Sequence, residues 1–284
     1  ARVIAFGASA GLIIQFQRAL KETVKSTVEV EKALANINIV LNTNTAGLQK
    51  FGDQLFKIAG QTGQGFKTVA VAATELARQG LSMEKTLLRT KDALILTRLT
   101  GMGAEEAVST LTAAVNSFNK VGMTSAEVVN KMAKVDQAFA VSSDDLAKAI
   151  SRVGSSAVDA GVSMDELLAI TTAVQQRTAR GGAVIGNAFK TIFTRIGRTD
   201  VQKKLNAIGV ETRDMQGHML GATKVLQNLA DKFGTLGQMQ QNQLAESVAG
   251  VFQVNILRAA LGDLSSQYGI NARAIKISAS ATDE

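Results

Sequence analysis

A short boundary unit recurs along the middle of the chain and restricts this region to a succession of helices. The unit is a glycine or alanine, an apolar residue and a small residue, followed by an acidic first turn. It begins at Gly80, Gly101 and Gly122, and again at Ala140 and Gly161, with 21 residues between neighbours in each series. A left-handed glycine ends many helices, and a Ser or Thr just after it can cap the next one. The spacing therefore predicts short helices that follow one another directly.

Two of these boundaries match the capping box, in which a hydroxyl and a carboxylate three residues later bond each other's backbone N–H. The matching pairs are Thr124 with Glu127 and Ser163 with Glu166. Acidic residues at a helix start also meet the positive end of the helix dipole. We therefore interpret the acidic pairs at predicted helix starts as capping residues and not as catalytic carboxylates: Glu105–Glu106, Asp144–Asp145 and Asp165–Glu166.

Apolar residues within the units lie three or four positions apart, which is the helical period. Hydrophobic residues make up 46% of the chain and aromatic residues only 4%, and proline is absent, so that uninterrupted helices can pack through small aliphatic side chains. The sequence predicts an all-α fold in which these stripes are buried: Val108, Leu111, Val115 and Phe118; Val128, Met132, Val135 and Phe139; Leu167, Leu168, Thr171 and Val174. Two units span about 42 residues, near the period of two-helix solenoids, so a helical-repeat scaffold is an alternative.

The chain divides into three predicted segments. Residues 1–46 contain a long helix (3–41) that is expected to form an oligomer contact, residues 47–262 form a helical core module, and residues 263–284 are partly disordered or continue into further chain. Within the core, helices are predicted at 48–59, 66–79, 222–233 and 239–261. Residues 209–220 alternate weakly around a turn-like Asp-Met-Gln-Gly, which indicates a small loop or hairpin.

The residues that usually carry catalysis are scarce. Cysteine is absent, and His218 is the one histidine, which we interpret as an exposed loop residue without an obvious partner. The segment Gly60–Thr68 approaches a phosphate-binding loop, but Phe66 separates the last glycine from Lys67, so we interpret it as a linker between helices. We therefore expect no enzymatic activity, no cofactor and no metal site.

A basic segment is the clearest candidate for binding. Only Asp200 opposes seven cations there, so the segment supplies six of the formal net charges of +7. It is either a solvated face or a weak contact for an acidic surface or DNA phosphates. Sequence-specific reading of nucleic acid is not expected, because Phe189 and Phe193 are predicted to be buried and few other aromatics are available for stacking. The candidate residues are Arg177, Arg180, Lys190, Arg195, Arg198, Lys203 and Lys204.

The order of these segments resembles the shared core of tail tape measure proteins from long-tailed phages and related prophages, over about residues 50–262. No single motif carries the resemblance; the order and spacing of all of them do. The similar stretches are residues 73–82, 115–118, 142–150 and 161–169, then 181–194, which includes Gly181, Gly182 and Gly186, then 209–217 and 249–255.

This resemblance implies a structural virion protein, made in the host cytoplasm and located in the tail lumen or at the tail tip. Such proteins are homo-oligomers, with a trimer favoured, and tube subunits polymerise around them with the help of tail assembly chaperones. Their length sets tail length, and they assist DNA ejection. The implied partners include the tail tube, distal tail or baseplate hub proteins and, at ejection, the host membrane. A membrane-active module using residues 3–14 and the basic segment is the alternative.

Overall fold

The computed structural model describes residues 28–118, 122–266 and 269–281. Residues 28–41 are helical (α1), and no β-strand forms within these described ranges, so the predicted all-α fold is confirmed. The other helices are α2 (Thr45–Thr62), α3 (Phe66–Arg78), α4 (Met83–Thr100), α5 (Ala104–Phe118), α6 (Ser125–Ala138), α7 (Ser143–Asp159), α8 (Met164–Thr178), α9 (Gly182–Ile196), α10 (Thr199–Ala207), α11 (Ala222–Phe233), α12 (Gln238–Ala249), α13 (Val254–Leu264) and α14 (Ile270–Ala279).

The chain forms two compact units, which divide between residues 94 and 95. In the first unit, α2 packs against α3, and Phe51, Leu55 and Val69 are buried. Gly63 ends α2 in the left-handed conformation, and Gly65 precedes α3. The phosphate-loop-like segment is therefore a helix end and a short linker, as expected.

The second unit is built around α7, α8 and α9. Helix α7 packs most extensively against α9 and also contacts α5, α6 and α8, whereas α8 packs against α13 and α14. All three predicted apolar stripes are buried in this unit. The rings of Phe189 and Phe193 stack at 5.4 Å between centroids inside the core, which confirms that they are unavailable to nucleic-acid bases.

The predicted glycine boundaries are confirmed at four of five positions. Gly80, Gly101, Gly122 and Gly161 have φ values of 75°, 75°, 74° and 68°. Ala140 is the exception and does not adopt the left-handed conformation, which its Cβ would disfavour. Instead, Phe139 turns to an extended backbone at the end of α6.

The predicted single helix over 239–261 is wrong. It is broken into α12 and α13 by Gly250, with φ 70° and ψ 163°, followed by the 3-10 turn Val251–Gln253. The direction of the helix axis bends by 108° between the two arms. This combination of φ and ψ is essentially restricted to glycine. The N–H of Gly250 still donates to the carbonyl of Glu246 at 2.8 Å. A glycine within an apolar helical pattern thus marks a corner here.

The loop over 209–220 is a small hairpin-like turn, as predicted. Arg213 and Met219 form an isolated antiparallel bridge, and the N–H of Asp214 donates to the carbonyl of His218 at 2.9 Å. Within residues 263–284, part of the segment folds as α14, which packs against α6 and α8.

Two sequence features fall outside the described residues: the apolar stretch 3–14 and the first part of the long helix. Among the helices that the structure does describe, none is by itself long and apolar enough to cross a membrane. The bent pair of α12 with residues 251–264 reaches that threshold of length and composition only when its two arms are counted together.

Candidate functional site

The seven cations of the basic segment are distributed over the end of α8, the loop after it, α9 and α10. Arg177 lies in the last turn of α8, Arg195 in the last turn of α9, and Lys204 in the last turn of α10. These three make contacts with groups far away in the sequence. The segment is therefore not one continuous free surface.

Arg177 connects α8 to the C-terminal helices. Its Nη2 donates to the carbonyl of Gly262 at 3.1 Å, and its Nε lies 3.5 Å from Oδ1 of Asp263. The side chain of Asp263 is 1% exposed and accepts the backbone N–H groups of Ile270 and Asn271 at 3.0 and 2.7 Å. This carboxylate thus holds the start of α14, and Arg177 has a structural role beside it.

Arg195 and Lys204 secure the end of α12. The Nε of Arg195 donates to the carbonyl of Ser247 at 2.9 Å, and its Nη2 to that of Glu246 at 3.3 Å. The Nζ of Lys204 donates to Oγ of Ser247 at 3.0 Å. Carbonyls in the last turn of a helix lack intrahelical partners, and cations there are favoured by the helix dipole. These two cations therefore fix the corner that begins at Gly250.

Arg198 forms an exposed ion pair with Asp200, with 3.1 Å between Nε and Oδ1. Desolvation alone would raise the pKa of Asp200, but the charge and hydrogen bond of Arg198 outweigh it, and the pKa lies below its usual value. Such surface pairs contribute little to stability. This pair leaves the basic segment with less free charge than its composition indicates.

Arg180, Lys190 and Lys203 are exposed, and their cationic groups make no ion pair with any described residue. Arg180 lies in the loop between α8 and α9, Lys190 on α9 and Lys203 on α10. Of the seven predicted contact residues, these three retain unengaged charges.

Sequence reasoning missed the corner itself. Val251 is 72% exposed and Phe252 93% exposed, immediately after Gly250. Beside the corner lies a cavity of about 760 Å³, whose apolar wall includes Ile208, Leu236 and Leu244. Because 239–261 was predicted as one amphipathic helix, Phe252 was not recognised as an exposed residue. The signal that could have found it is Gly250.

The acidic pairs lie at helix starts, and the histidine lies in the hairpin-like turn. Glu127 and Glu166 complete capping boxes with Thr124 and Ser163, which confirms that interpretation. His218 is exposed, but the expectation that it has no partner is wrong, since its Nδ1 lies 3.3 Å from Oδ2 of Asp214. The same carboxylate accepts the backbone N–H of His218 at 2.8 Å, so the pair stabilises the hairpin-like turn.

No solved structure matches the chain. The family model described as phage-related minor tail protein matches residues 52–250. That span covers most of the chain, including α7–α9, the basic segment and the hairpin-like turn. The chain belongs to the family of phage-related minor tail proteins.

Proposed function

We propose that this chain is the folded core module of a tail tape measure protein. Membership of the minor tail protein family gives it a structural role in the phage tail. The narrower assignment is supported by the order of helices and glycine boundaries, which resembles the tape measure core. In the virion, the module acts in tail assembly, within the lumen or at the tip.

The observation that carries the proposal is the compactness of the second unit. Asp165, at the start of α8, accepts the Nζ of Lys131 at 2.8 Å and the hydroxyl of Ser278, so that α6, α8 and α14 meet at one carboxylate. A helix rises 1.5 Å per residue, so a fully extended helix of this unit's length would span about 280 Å. A compact unit of that size has a radius of gyration of about 16 Å. The unit therefore does not convert its residue count into length.

We therefore assign this unit to a plug or an initiation point at one end of the tail. Tail length is then set by extended helical chain outside the unit. The partners in this proposal are further copies of the chain (a trimer is favoured), the tail tube, the distal tail or baseplate hub proteins, and the tail assembly chaperones. At infection, the same module assists DNA ejection. The proposal includes no catalysis: Glu166 completes a capping box, Asp165 joins three helices, and the histidine belongs to a turn.

Tail length in an assembled phage tests the proposal. An in-frame insertion between Met215 and Gln216 enters the tip of the exposed turn and leaves the core intact. We expect tails of normal length in electron micrographs. If the unit were an extended ruler, tail length would increase in proportion to an inserted helical segment, by about 60 Å for about 40 residues; that result would contradict the proposal.

Removal of the core itself is the complementary test. Deleting α9 and α10 in frame removes the helix that packs most extensively against α7. We expect few or no complete tails, since initiation fails. Complete tails shortened by the length of the deleted helices would instead identify a ruler.

A further inference from the structure

The corner between α12 and α13 exposes two apolar side chains on a rigid base. Val251 and Phe252 project into solvent, with 72% and 93% of their surfaces exposed. The backbone beneath them is fixed by Gly250 and by the hydrogen bonds of Arg195 to the last turn of α12. An aromatic side chain has only two rotatable side-chain bonds, so on a fixed backbone it loses little conformational entropy when it binds, and aromatic anchors dominate many interfaces. We refer to Val251 and Phe252 as the apolar tip.

A cavity adjoins the apolar tip on the same surface. Val251 forms part of its wall, together with Leu236, Leu244 and Ile208, while Gln240 and Gln243 line its polar side. At about 760 Å³ it is large enough to admit an aromatic side chain. Phe252 does not fill it within its own chain, since it is almost fully exposed. Each molecule thus presents both a projection and a cavity.

The chemistry around the cavity favours a protein over a lipid surface. Helix α12 begins with Gln238, and Gln240, Gln241, Asn242 and Gln243 follow within its next turn. Some of these amides bond within the chain, such as Gln241 to the carbonyl of Leu236, but a surface rich in amides is still costly to transfer into hydrocarbon. In a protein interface each amide can both donate and accept, so that a surface of amides can pair with an identical surface.

The charges at the cavity are also self-complementary. Its lining includes Lys204 and Arg195 but also Glu246, whose carboxylate makes no ion pair with any described residue. A second copy can bring its own Lys204 to this carboxylate, and its own Glu246 to the lysine of the first copy.

From these observations we infer that the apolar tip of one copy packs into the cavity of a second copy. The cavity receives Phe252 against Leu236 and Leu244, and Glu246 of each copy approaches Lys204 of the other. In a symmetric dimer, the tip of each copy enters the cavity of the other. In a trimer, the tip of each copy enters the cavity of the next copy around a ring. The inference rests on the proposed function, because it identifies the surface through which the assembly protein associates with itself.

Cysteine exchange in the full chain tests the contact, because the natural sequence contains no cysteine. Two single variants, Phe252→Cys and Gln243→Cys, are purified with tags of different size, mixed and oxidised. Both positions are exposed, so neither change should disturb folding. We expect a disulfide-linked heterodimer on a non-reducing gel. The matched control replaces Phe252→Cys by Met215→Cys, which is 99% exposed on the hairpin-like turn and should cross-link to Gln243→Cys far less.

Sedimentation provides the second measurement. Phe252→Ser should weaken self-association by roughly thirtyfold, the effect of losing an interface anchor, while Met215→Ser leaves it unchanged. If Met215→Cys cross-linked to Gln243→Cys as strongly as Phe252→Cys does, the inference would be overturned. The inference would also be overturned if the chain sedimented as a monomer and instead co-floated with phosphatidylcholine–phosphatidylglycerol vesicles, with this binding lost in Phe252→Ser. Either result leaves the tail-length experiment untouched, so the two proposals can fail separately.

Discussion

Two groups of helices in this protein begin in different ways. Helices α6 and α8 begin at Thr124 and Ser163, whose hydroxyls accept a backbone N–H from the residue three positions later. Helices α9, α11 and α14 begin after glycines without a side-chain cap. Their first N–H groups instead bond to acceptors outside the helix: Gly182 to Asp145, Ala222 to the carbonyl of Ala160, and Ile270 to Asp263.

This difference separates helix starts that depend on neighbouring residues from those that depend on tertiary packing. A local cap forms whenever its own few residues become helical, whatever the rest of the chain does. A helix start that bonds to a distant acceptor is satisfied only after two elements have packed, so the glycine there also records a close approach. The first type should lose little when disrupted, and the second should disturb the whole unit.

The largest effect is expected from Gly182→Ala at the start of α9. A Cβ at this position would lie 1.8 Å from the carbonyl oxygen of Asp145, so α7 and α9 must move apart. We expect a loss of about 3 kcal/mol in the free energy of unfolding, measured by urea titration with circular dichroism. Gly181→Ala is the control, because its Cβ would meet only the Asp145 side chain at 3.5 Å. Similar losses in both variants would contradict the close-approach argument.

A smaller loss is expected from Asp263→Asn, which alters the acceptor that the preceding helix provides for the start of α14. Its two oxygens accept the N–H groups of Ile270 and Asn271, and an amide leaves one of these buried donors facing another donor. The expected cost is about 2 kcal/mol in the same titration. Asp231→Asn, on the exposed face of α11, serves as the control. If Asp263→Asn proved as stable as this control, the carboxylate would not be holding the helix start.

The same distinction explains how much could be predicted from the sequence. The boundaries at Gly80, Gly101, Gly122 and Gly161 were predictable, because glycine and the cap lie next to each other in the chain. The corner at Gly250 was only partly predictable: its glycine marks a break in the helix, but Arg195, which holds the corner, lies 52 residues from Ser247 in sequence. Helix α14 was missed for a similar reason, because its first N–H groups depend on a carboxylate in the preceding helix.

The candidate site follows the same rule. The spacing of the basic segment predicted surface cations, and Arg180, Lys190 and Lys203 are indeed exposed. It gave no sign that Arg177 and Arg195 bind carbonyls of α13 and α12. Such contacts join residues far apart in sequence, and no local pattern marks them.

Loss of a local cap should have a modest effect. Thr124→Ala removes the hydroxyl that accepts the N–H of Glu127 at 3.1 Å, at an exposed position. We expect a loss of about 1 kcal/mol in urea unfolding. Thr124→Ser retains the hydroxyl and should remain within about 0.5 kcal/mol of the natural protein. A loss as large as that of Gly182→Ala would remove the distinction between the two kinds of helix start.

The smallest effect is expected at the start of α10, where charge replaces the neutral cap. Arg198 precedes this helix without a side-chain cap, and the Asp200 carboxylate accepts backbone N–H groups from its own first turn. Desolvation would raise the pKa of Asp200, but Arg198 lowers it overall. Arg198→Ala should therefore raise this pKa, as measured by an NMR titration of the carboxyl carbon, whereas Lys203→Ala should raise it less.

The direction of the pH effect follows from that shift. Because the pKa of Asp200 is lower in the folded than in the unfolded protein, its stabilising contribution is present above the unfolded value and is lost as the pH falls through the folded value. The contribution should shrink in Arg198→Ala. An unchanged pKa in that variant would show that the backbone N–H groups alone hold the carboxylate, which would make α10 a locally capped helix like α6 and α8.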